Sequence, residues 1–210
     1  MTTNSSEKKV IVIGAGGHAR AISSLIKILG KKVDYYLDDD PDLQGKDVNG
    51  ITVRGTTKDI SNGETAFIGI GRNFIRKQKA EKHSGLTYPS FIHPDAIISP
   101  EVEIGTGTAI MAGAIIQPGS KIGNHVIVNS GVVIEHDCTL HDYSHIAPNA
   151  TLAGSCTLQE GAFLGVNACM IEGKVLGAWS VVGAGACVIT DIPEWCTAVG
   201  LPAKVIKKHE

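Results

Sequence analysis

A glycine-rich turn near the N-terminus has the residue types that a phosphate site needs. The sequence KKVIVI over residues 8–13 predicts a buried strand, GAGGHAR follows it, and residues 19–29 have the periodicity of an amphipathic helix. Small residues let a phosphate approach the N–H groups that a helix leaves unpaired at its start. The order strand, turn, helix therefore predicts an anion site at residues 14–18, with a tight turn that binds nothing as the structural alternative.

Histidines in the second half offer a different chemistry. His136, His141 and His145 lie close together in the sequence. Histidine is suited to act as a general base, because it can accept a proton near neutral pH. A reaction that forms an oxyanion also needs hydrogen-bond donors at that place, and Asn129 or backbone N–H groups could supply them.

The elements that would position the glycine turn form a small α/β domain. Two further strands are predicted at residues 33–37 and 65–70, and a basic helix follows the last of them and ends near His83. The carboxyl ends of parallel strands meet at one edge of a sheet. Residues 14–18 are therefore expected to line one crevice with the residues that follow the later strands, Asp38, Asp39 and Gly71.

The histidines fall in a repeat with a period of six. An apolar residue occupies every sixth position from Ile92 to Val188 without interruption. This period fits neither a helix nor a long alternating strand, but it suits a solenoid in which three sides, each one repeat long, close a triangular coil. The apolar residues would fill a narrow interior, which explains 25 glycines against ten aromatic residues.

Composition limits the function classes. The 19 basic and 21 acidic side chains give a charge of -2, which argues against a nucleic-acid-binding surface. No apolar run approaches the ~18 residues that span a bilayer, and MTTNSSEKK lacks the apolar stretch of a signal peptide. We expect a cytoplasmic protein without membrane insertion. The predicted parts are a disordered segment 1–7, a nucleotide-binding domain 8–90, a solenoid 91–190 and a C-terminal segment 191–210.

The repeat resembles the hexapeptide-repeat family of left-handed parallel β-helices. With the N-terminal VIGAGGHAR and LDDD, the whole chain resembles the sugar acyltransferases typified by sialic acid O-acetyltransferases and bacillosamine-pathway N-acetyltransferases, and the stretches NSGVVIEHDC, HIAPNATLAG, FLGVNACMI and VGLPAKVI add to the match. The resemblance implies a Rossmann-like α/β domain followed by an all-β left-handed β-helix. It also implies acetyl-CoA as cosubstrate, no metal, and a homotrimer with active sites between subunits.

The resemblance also implies roles for individual residues. His136 would be the catalytic base and Asp137 its acidic partner, with Asp142 as a second candidate for that partner. Gly154 and Pro118 lie one coil to either side of His136, which would leave room for a pantetheine arm. The other implied binding residues are, for CoA, His145, Gly154, Val166, Ala184 and Lys204, and, for the nucleotide sugar, Gly16, Gly17, His18, Asp38, Asp39 and Gly71.

Several functions stay open at this point. The expected reaction is N-acetylation of a UDP-linked 4-amino-4,6-dideoxy sugar, but one base would serve O-acetylation of a sugar or sialic acid equally well. Three histidines also resemble the metal site of γ-class carbonic anhydrases, although Pro100 stands where their third histidine would lie. A non-catalytic nucleotide-binding module and an NAD-dependent oxidoreductase are further alternatives, the second resting on the glycine turn alone.

Overall fold

A computed structural model describes residues 9–209, so the segment 1–7 that is predicted to be disordered lies outside the described residues. The chain divides into two compact units, one made of Met1–Ile70 with Gln78–Pro89 and the other of Gly71–Lys77 with Ser90–Glu210. The second unit therefore contains a short segment from the region predicted as the first domain. No helix in the described part of the chain is long and apolar enough to cross a bilayer.

The first unit is built on a five-stranded sheet. Its elements are β1 (Val10–Ile13), α1 (Gly17–Ile28), β2 (Val33–Leu37), β3 (Asp47–Val48), β4 (Ile51–Gly55), β5 (Ala66–Ile68) and short 3₁₀ helices at Pro41–Leu43 and Thr57–Asp59. The strand order is β3-β4-β2-β1-β5, and all neighbours are parallel except β3 and β4. Helix α2 (Asn73–Lys82) begins in residues of the second unit and ends in residues of the first.

The strands β1, β2 and β5 match the three predicted from sequence, because each is an apolar run bounded by turn residues. The β3–β4 hairpin was not predicted. Its turn contains Asn49 and Gly50, both with positive φ (55° and 78°), which is the backbone that an Asn-Gly pair adopts readily in a two-residue hairpin. Strand β3 has only two residues, and β4 alternates between exposed positions and buried or partly buried ones, so the continuous apolar run that revealed the other strands is absent there.

The second unit is a parallel β-helix with three flat sides. Its strands are β6 (Phe91–Ile92), β7 (Ile97–Ile98), β8 (Glu103–Ile104), β9 (Ala109–Ile110), β10 (Ile115–Ile116), β11 (Lys121–Ile122), β12 (Ile127–Val128), β13 (Val133–Ile134), β14 (Thr139–Leu140), β15 (His145–Ile146), β16 (Thr151–Leu152), β17 (Thr157–Leu158), β18 (Phe163–Leu164), β19 (Cys169–Met170), β20 (Val175–Leu176), β21 (Val181–Val182), β22 (Cys187–Val188), β23 (Cys196–Val199) and β24 (Lys204–Lys208). The first sheet contains β6, β9, β12, β15, β18, β21, β23 and β24, the second contains every third strand from β7 to β22, and the third contains every third strand from β8 to β20.

The register confirms the repeat. From β6 to β19, each strand pairs with the strand one full coil later in the chain, as Ile116 pairs with Ile134. The second residue of almost every strand points inward and is buried, and these side chains form one continuous apolar core. Five coils and two sides of a sixth precede the terminal β23–β24 hairpin. The predicted fold class, a small α/β domain followed by a hexapeptide β-helix, is confirmed.

Candidate active site

His136 and Asp137 form a hydrogen-bonded pair on the β-helix, at the edge where the second sheet turns into the third. His136 Nδ1 lies 2.9 Å from Asp137 Oδ2. Asp137 has a φ of 59°, and this left-handed conformation places its carboxylate beside the preceding histidine. The His136 side chain is about half exposed (55%). The sequence-predicted base and its acidic partner are therefore in contact.

Two glycines from the adjacent coils leave space for this pair. The His136 ring lies over Gly154, where an added Cβ would meet Cε1 at 2.6 Å and Nε2 at 2.7 Å. Asp137 Oδ1 lies in the same way over Gly119, where an added Cβ would run into the carboxylate. Any side chain at Gly119 or Gly154 would therefore occupy the space of the pair. Gly154, predicted from the resemblance to contact CoA, lies against the His136 ring.

The pair has the electrostatics of a general base. The hydrogen bond with Asp137 raises the pKa of His136 above its usual value, and the charges of Asp137, Glu135 and Glu172 act in the same direction. Since the carboxylate can only accept a hydrogen bond, Nδ1 carries the proton. Nε2, above Gly154, is then the nitrogen that can take a proton from a substrate.

His145 and Asn129 lie together but not beside His136. His145 Nδ1 donates to the carbonyl of Gly71 at 3.2 Å, and Asn129 Nδ2 lies 3.4 Å from His145 Nε2. The His145 ring also makes an edge contact with Phe163, at 5.0 Å between ring centroids. His145 is 8% exposed. The Asn129 amide, expected to stabilise an oxyanion, is thus directed at His145 in this chain.

The predicted CoA residues occupy different sides of the triangular coil. His145 points outward from the first sheet, which lies opposite the edge that carries His136. Val166 and Ala184 are exposed and stack one coil apart at the edge between the first and second sheets. Lys204 begins β24 and is exposed. One chain therefore brings Gly154 to His136 but does not bring the other predicted CoA residues there.

In the first unit, the glycine turn is held open above the start of α1. Asp38 Oδ2 accepts a hydrogen bond from the backbone N–H of Ala15 at 2.7 Å. Helix α1 starts at Gly17 with Gly16 as its N-cap and no side-chain cap, and an added Cβ at Gly16 would meet nothing within 4 Å. His18 is half-buried in the first turn. The turn has the space and the N–H groups to receive an anion, and Asp38 positions it.

Asp39, by contrast, is bound within the first unit. Its carboxylate accepts the backbone N–H of Thr57 at 2.8 Å and the Thr57 hydroxyl at 2.9 Å, and it forms an ion pair with Lys79. Burial opposes ionisation, but the hydrogen bonds from Lys79 and Thr57 outweigh it and lower the pKa of Asp39 to about 2. Asp39 joins two segments of the domain, which leaves little of its carboxylate for a ligand.

Gly71 groups with the second unit and borders an aromatic cavity that sequence reasoning missed. The cavity has a volume of about 500 Å³, and its walls include Phe74, Phe163, Trp179 and Trp195. Trp179 makes an edge contact with Phe74 (5.7 Å between centroids) and stacks on Trp195 (5.8 Å). The sequence did contain a signal for this cavity. Tyr143, Gly161 and Trp179 are each 18 residues apart, so the predicted coils stack them on one edge of the β-helix.

Arg76 was also missed, and it ties the start of α2 to the β-helix. It is 1% exposed and donates to the carbonyls of His125 (2.8 Å) and Tyr143 (2.7 Å) and to Asn73 Oδ1 (3.0 Å). Burial lowers the pKa of Arg76 to about 9, so it stays charged at neutral pH. A buried cation with so many backbone acceptors has a structural role.

The remaining histidine and acid candidates are separated from the His136 pair. His141 and Asp142 lie at the edge between the third and first sheets, where Asp142 Oδ1 accepts the backbone N–H of Asn124 at 2.7 Å. Asp142 is therefore occupied elsewhere, and Asp137 is the acid bound to His136. Within residues 9–209, no three His, Cys, Asp or Glu side chains converge as metal ligands.

Two family models match separate parts of the chain. Residues 9–83 match the family model of the PglD N-terminal domain, and residues 119–154 match that of the bacterial transferase hexapeptide with six repeats. A curated relative, UDP-N-acetylbacillosamine N-acetyltransferase of Bacillus subtilis strain 168, is 41% identical over an alignment of 117 residues, and the match covers 50% of this chain. The match spans about half (52%) of that relative's length.

Solved structures match nearly the whole chain. A variant of perosamine N-acetyltransferase from Caulobacter crescentus, in complex with CoA and GDP-perosamine, is 36% identical with a TM-score of 0.87, covering 95% of this chain and 97% of that one. The acetyltransferase domain of PglB from Neisseria gonorrhoeae FA1090, in complex with acetyl coenzyme A, is 38% identical with a TM-score of 0.88, covering 95% and 100%. On the fold, both domain matches and these relatives, the chain belongs to the hexapeptide-repeat sugar acetyltransferases with a PglD-type N-terminal domain.

Proposed function

We propose that this chain transfers the acetyl group of acetyl-CoA to the amino group of a nucleotide-linked amino sugar in glycan biosynthesis. The His136–Asp137 pair carries the proposal, because it places an exposed base with a raised pKa on the β-helix edge. The matched structures that contain CoA, acetyl-CoA or GDP-perosamine support the two substrate classes. The proposal places the reaction in the cytoplasm.

The chemistry follows from the protonation state of His136. Asp137 holds the Nδ1 proton, and Nε2 takes a proton from the sugar amine as its nitrogen attacks the thioester carbonyl carbon. The new C–N bond forms, the oxyanion collapses, and the C–S bond breaks. The imidazolium of His136 then returns the proton to the departing CoA thiolate, and no covalent enzyme intermediate is needed.

The proposed assembly is a homotrimer with active sites between subunits. His136 with Gly154 lies on one edge of the coil, whereas His145, Val166 and Ala184 lie on the opposite sheet or on another edge. A single pantetheine arm could meet both groups only if a second chain supplied one of them. In the first unit, Gly16, Gly17 and His18 would receive the nucleotide phosphates and Asp38 would hold the turn. The carbonyl of Gly71 accepts a hydrogen bond from His145. The remaining proposed ligand residues are Gly71, Val166, Ala184 and Lys204.

The test is acetyl transfer by the wild type and by His136→Ala, with UDP- and GDP-linked 4-amino sugars and acetyl-CoA, measured as released CoA thiol. We expect His136→Ala to lose about 10²- to 10⁴-fold in kcat while still binding acetyl-CoA. Full activity of His136→Ala would refute the base, and transfer only to the matching hydroxyl sugars would refute N-acetylation. Light scattering should give three times the mass of the 22.0 kDa chain, and a monomer would refute the shared site.

A further inference from the structure

A basic cavity lies in the first unit, beside α1 and the loop that follows it. Its volume is about 470 Å³, and it is formed by the outer face of α1, the loop after it and the turn between β3 and β4. The polar lining residues are Arg20, Ser23, Ser24, Lys27, Lys31, Lys32 and Asn49. No acidic side chain is among the residues that line it.

The positive charges of this cavity are not neutralised within the protein. Among residues 9–209, none of Arg20, Lys27, Lys31 and Lys32 forms an ion pair, whereas Lys77 pairs with Glu160. Asp47, near the rim in sequence, accepts the backbone N–H of Gly50 at 2.7 Å. Four cations around one concavity, in a chain with a net charge of -2, attract anions.

The helix dipole does not explain the whole arrangement. Lys27 lies in the last turn of α1, where a cation is favourable, but Arg20 lies in the first turn, where it is not. Arg20, Ser24 and Lys27 follow the i, i+4, i+7 spacing of a single helix face, and Arg20 to Lys27 covers about 10 Å along the axis. Lys31 and Lys32 extend this stripe into the loop after the helix. A ligand that uses both ends of the stripe needs at least two separated anionic groups.

The cavity is distinct from the glycine turn. Val33, which lines it, is the first residue of β2, whereas Asp38 follows the last residue of the same strand and binds the turn. The part of the cavity that contains Val33 therefore lies at the opposite end of β2 from Asp38 and the glycine turn. Arg20 alone approaches the turn, since its Nη2 would lie 3.8 Å from a Cβ added at Gly17.

We propose that this cavity binds a small polyanion with two or more phosphate groups, such as an inorganic polyphosphate or a nucleoside polyphosphate. Lys27, Lys31 and Lys32 contact the phosphates, and the Ser24 hydroxyl and the Asn49 amide donate hydrogen bonds to them. The inference does not depend on the acetyltransferase activity. It assigns a second anion site to the domain that carries the glycine turn.

The test is a titration of the full chain with sodium tripolyphosphate at two salt concentrations. Binding is measured by calorimetry and by changes in amide chemical shifts. We expect saturable binding that weakens with salt, shifts at Ser24, Asn49 and Gly50, and about tenfold weaker binding by the double variant Lys27→Gln, Lys31→Gln. The control Lys207→Gln, Lys208→Gln removes the same charge from the exposed strand β24 and should bind as the wild type does.

Three outcomes would overturn the proposal. These are equal weakening in both double variants, shifts confined to the glycine turn, and orthophosphate binding as tightly as tripolyphosphate. ADP should give shifts at the same residues as tripolyphosphate. Acetyl transfer by the Lys27 and Lys31 variant reports separately on the proposed function, which can fail without affecting the binding result.

Discussion

Gly154→Ala should displace His136, the proposed catalytic base, without unfolding the protein. The new Cβ would lie 2.6 Å from His136 Cε1, 2.7 Å from Nε2 and 3.2 Å from Nδ1. Non-bonded carbon atoms pack at about 3.5–4.0 Å, so the ring must withdraw by about 1 Å. A displacement of this size at a reacting group costs up to ~10²-fold in rate. The half-exposed ring can move outward, so the free energy of unfolding should change by only about 0.5 kcal/mol.

The matched control is Gly173→Ala, one coil above on the same edge. Gly173 has a φ of +68°, and an added Cβ there would meet nothing within 4 Å. Alanine in this conformation costs about 1–2 kcal/mol, so the control should be less stable but fully active. Steady-state kinetics, urea unfolding and NMR titration of His136 distinguish the two variants. The reasoning fails if Gly154→Ala keeps both its kcat and the raised pKa of His136.

Three further changes have expected outcomes of their own. Asp137→Asn removes the main cause of the raised pKa of His136. Because the proposed base acts in its neutral form, the acidic limb of the kcat/KM profile should move to lower pH. An unmoved limb would show that Asp137 does not set the pKa of His136. The pKa of Asp39 is about 2 in the fold and about 4 in the unfolded chain, so ionised Asp39 stabilises the fold above about pH 4, and this stabilisation is lost as the pH falls towards 2. In Asp39→Asn, the free energy of unfolding measured with urea should change less between pH 4 and pH 2 than in the wild type. The same pH dependence in both proteins would contradict the assignment. Arg76→Met leaves buried carbonyls unpaired and should lower the free energy of unfolding by about 3 kcal/mol, whereas a wild-type urea midpoint would show that Arg76 contributes little.

The β-helix could be predicted almost completely because its constraint is local and repeated. Each side must supply one inward apolar residue, so a missing repeat would have been visible, and the series Ile92 to Val188 has none missing. The pairing of each strand with the strand one coil later then follows without further information. The same argument placed His136 beside Gly154, and the contact between them is present.

The rest depended on contacts between residues far apart in the chain. Arg76 bonds to carbonyls 49 and 67 residues away, and nothing in FIRK distinguishes it from a solvent-exposed arginine. His145 points outward from the β-helix, but its hydrogen bond to the carbonyl of Gly71, 74 residues earlier in the chain, could not be foreseen. The β3–β4 hairpin is different, since the Asn49-Gly50 pair was a readable signal that the apolar pattern did not reinforce.

The closed end of the β-helix has a consequence for solubility. A parallel stack ends in strands whose backbone groups can pair with another molecule. Here β24 runs antiparallel to β23 over the first sheet, Cys187 N–H donates to Gly200 and Ala203 N–H to Cys187 over the second, and Ile192 bridges to Leu176 over the third. The segment that follows β22 thus pairs with the last strand of each of the three sheets. Removing it would leave those strands unpaired, and we expect such a truncated chain to associate end to end.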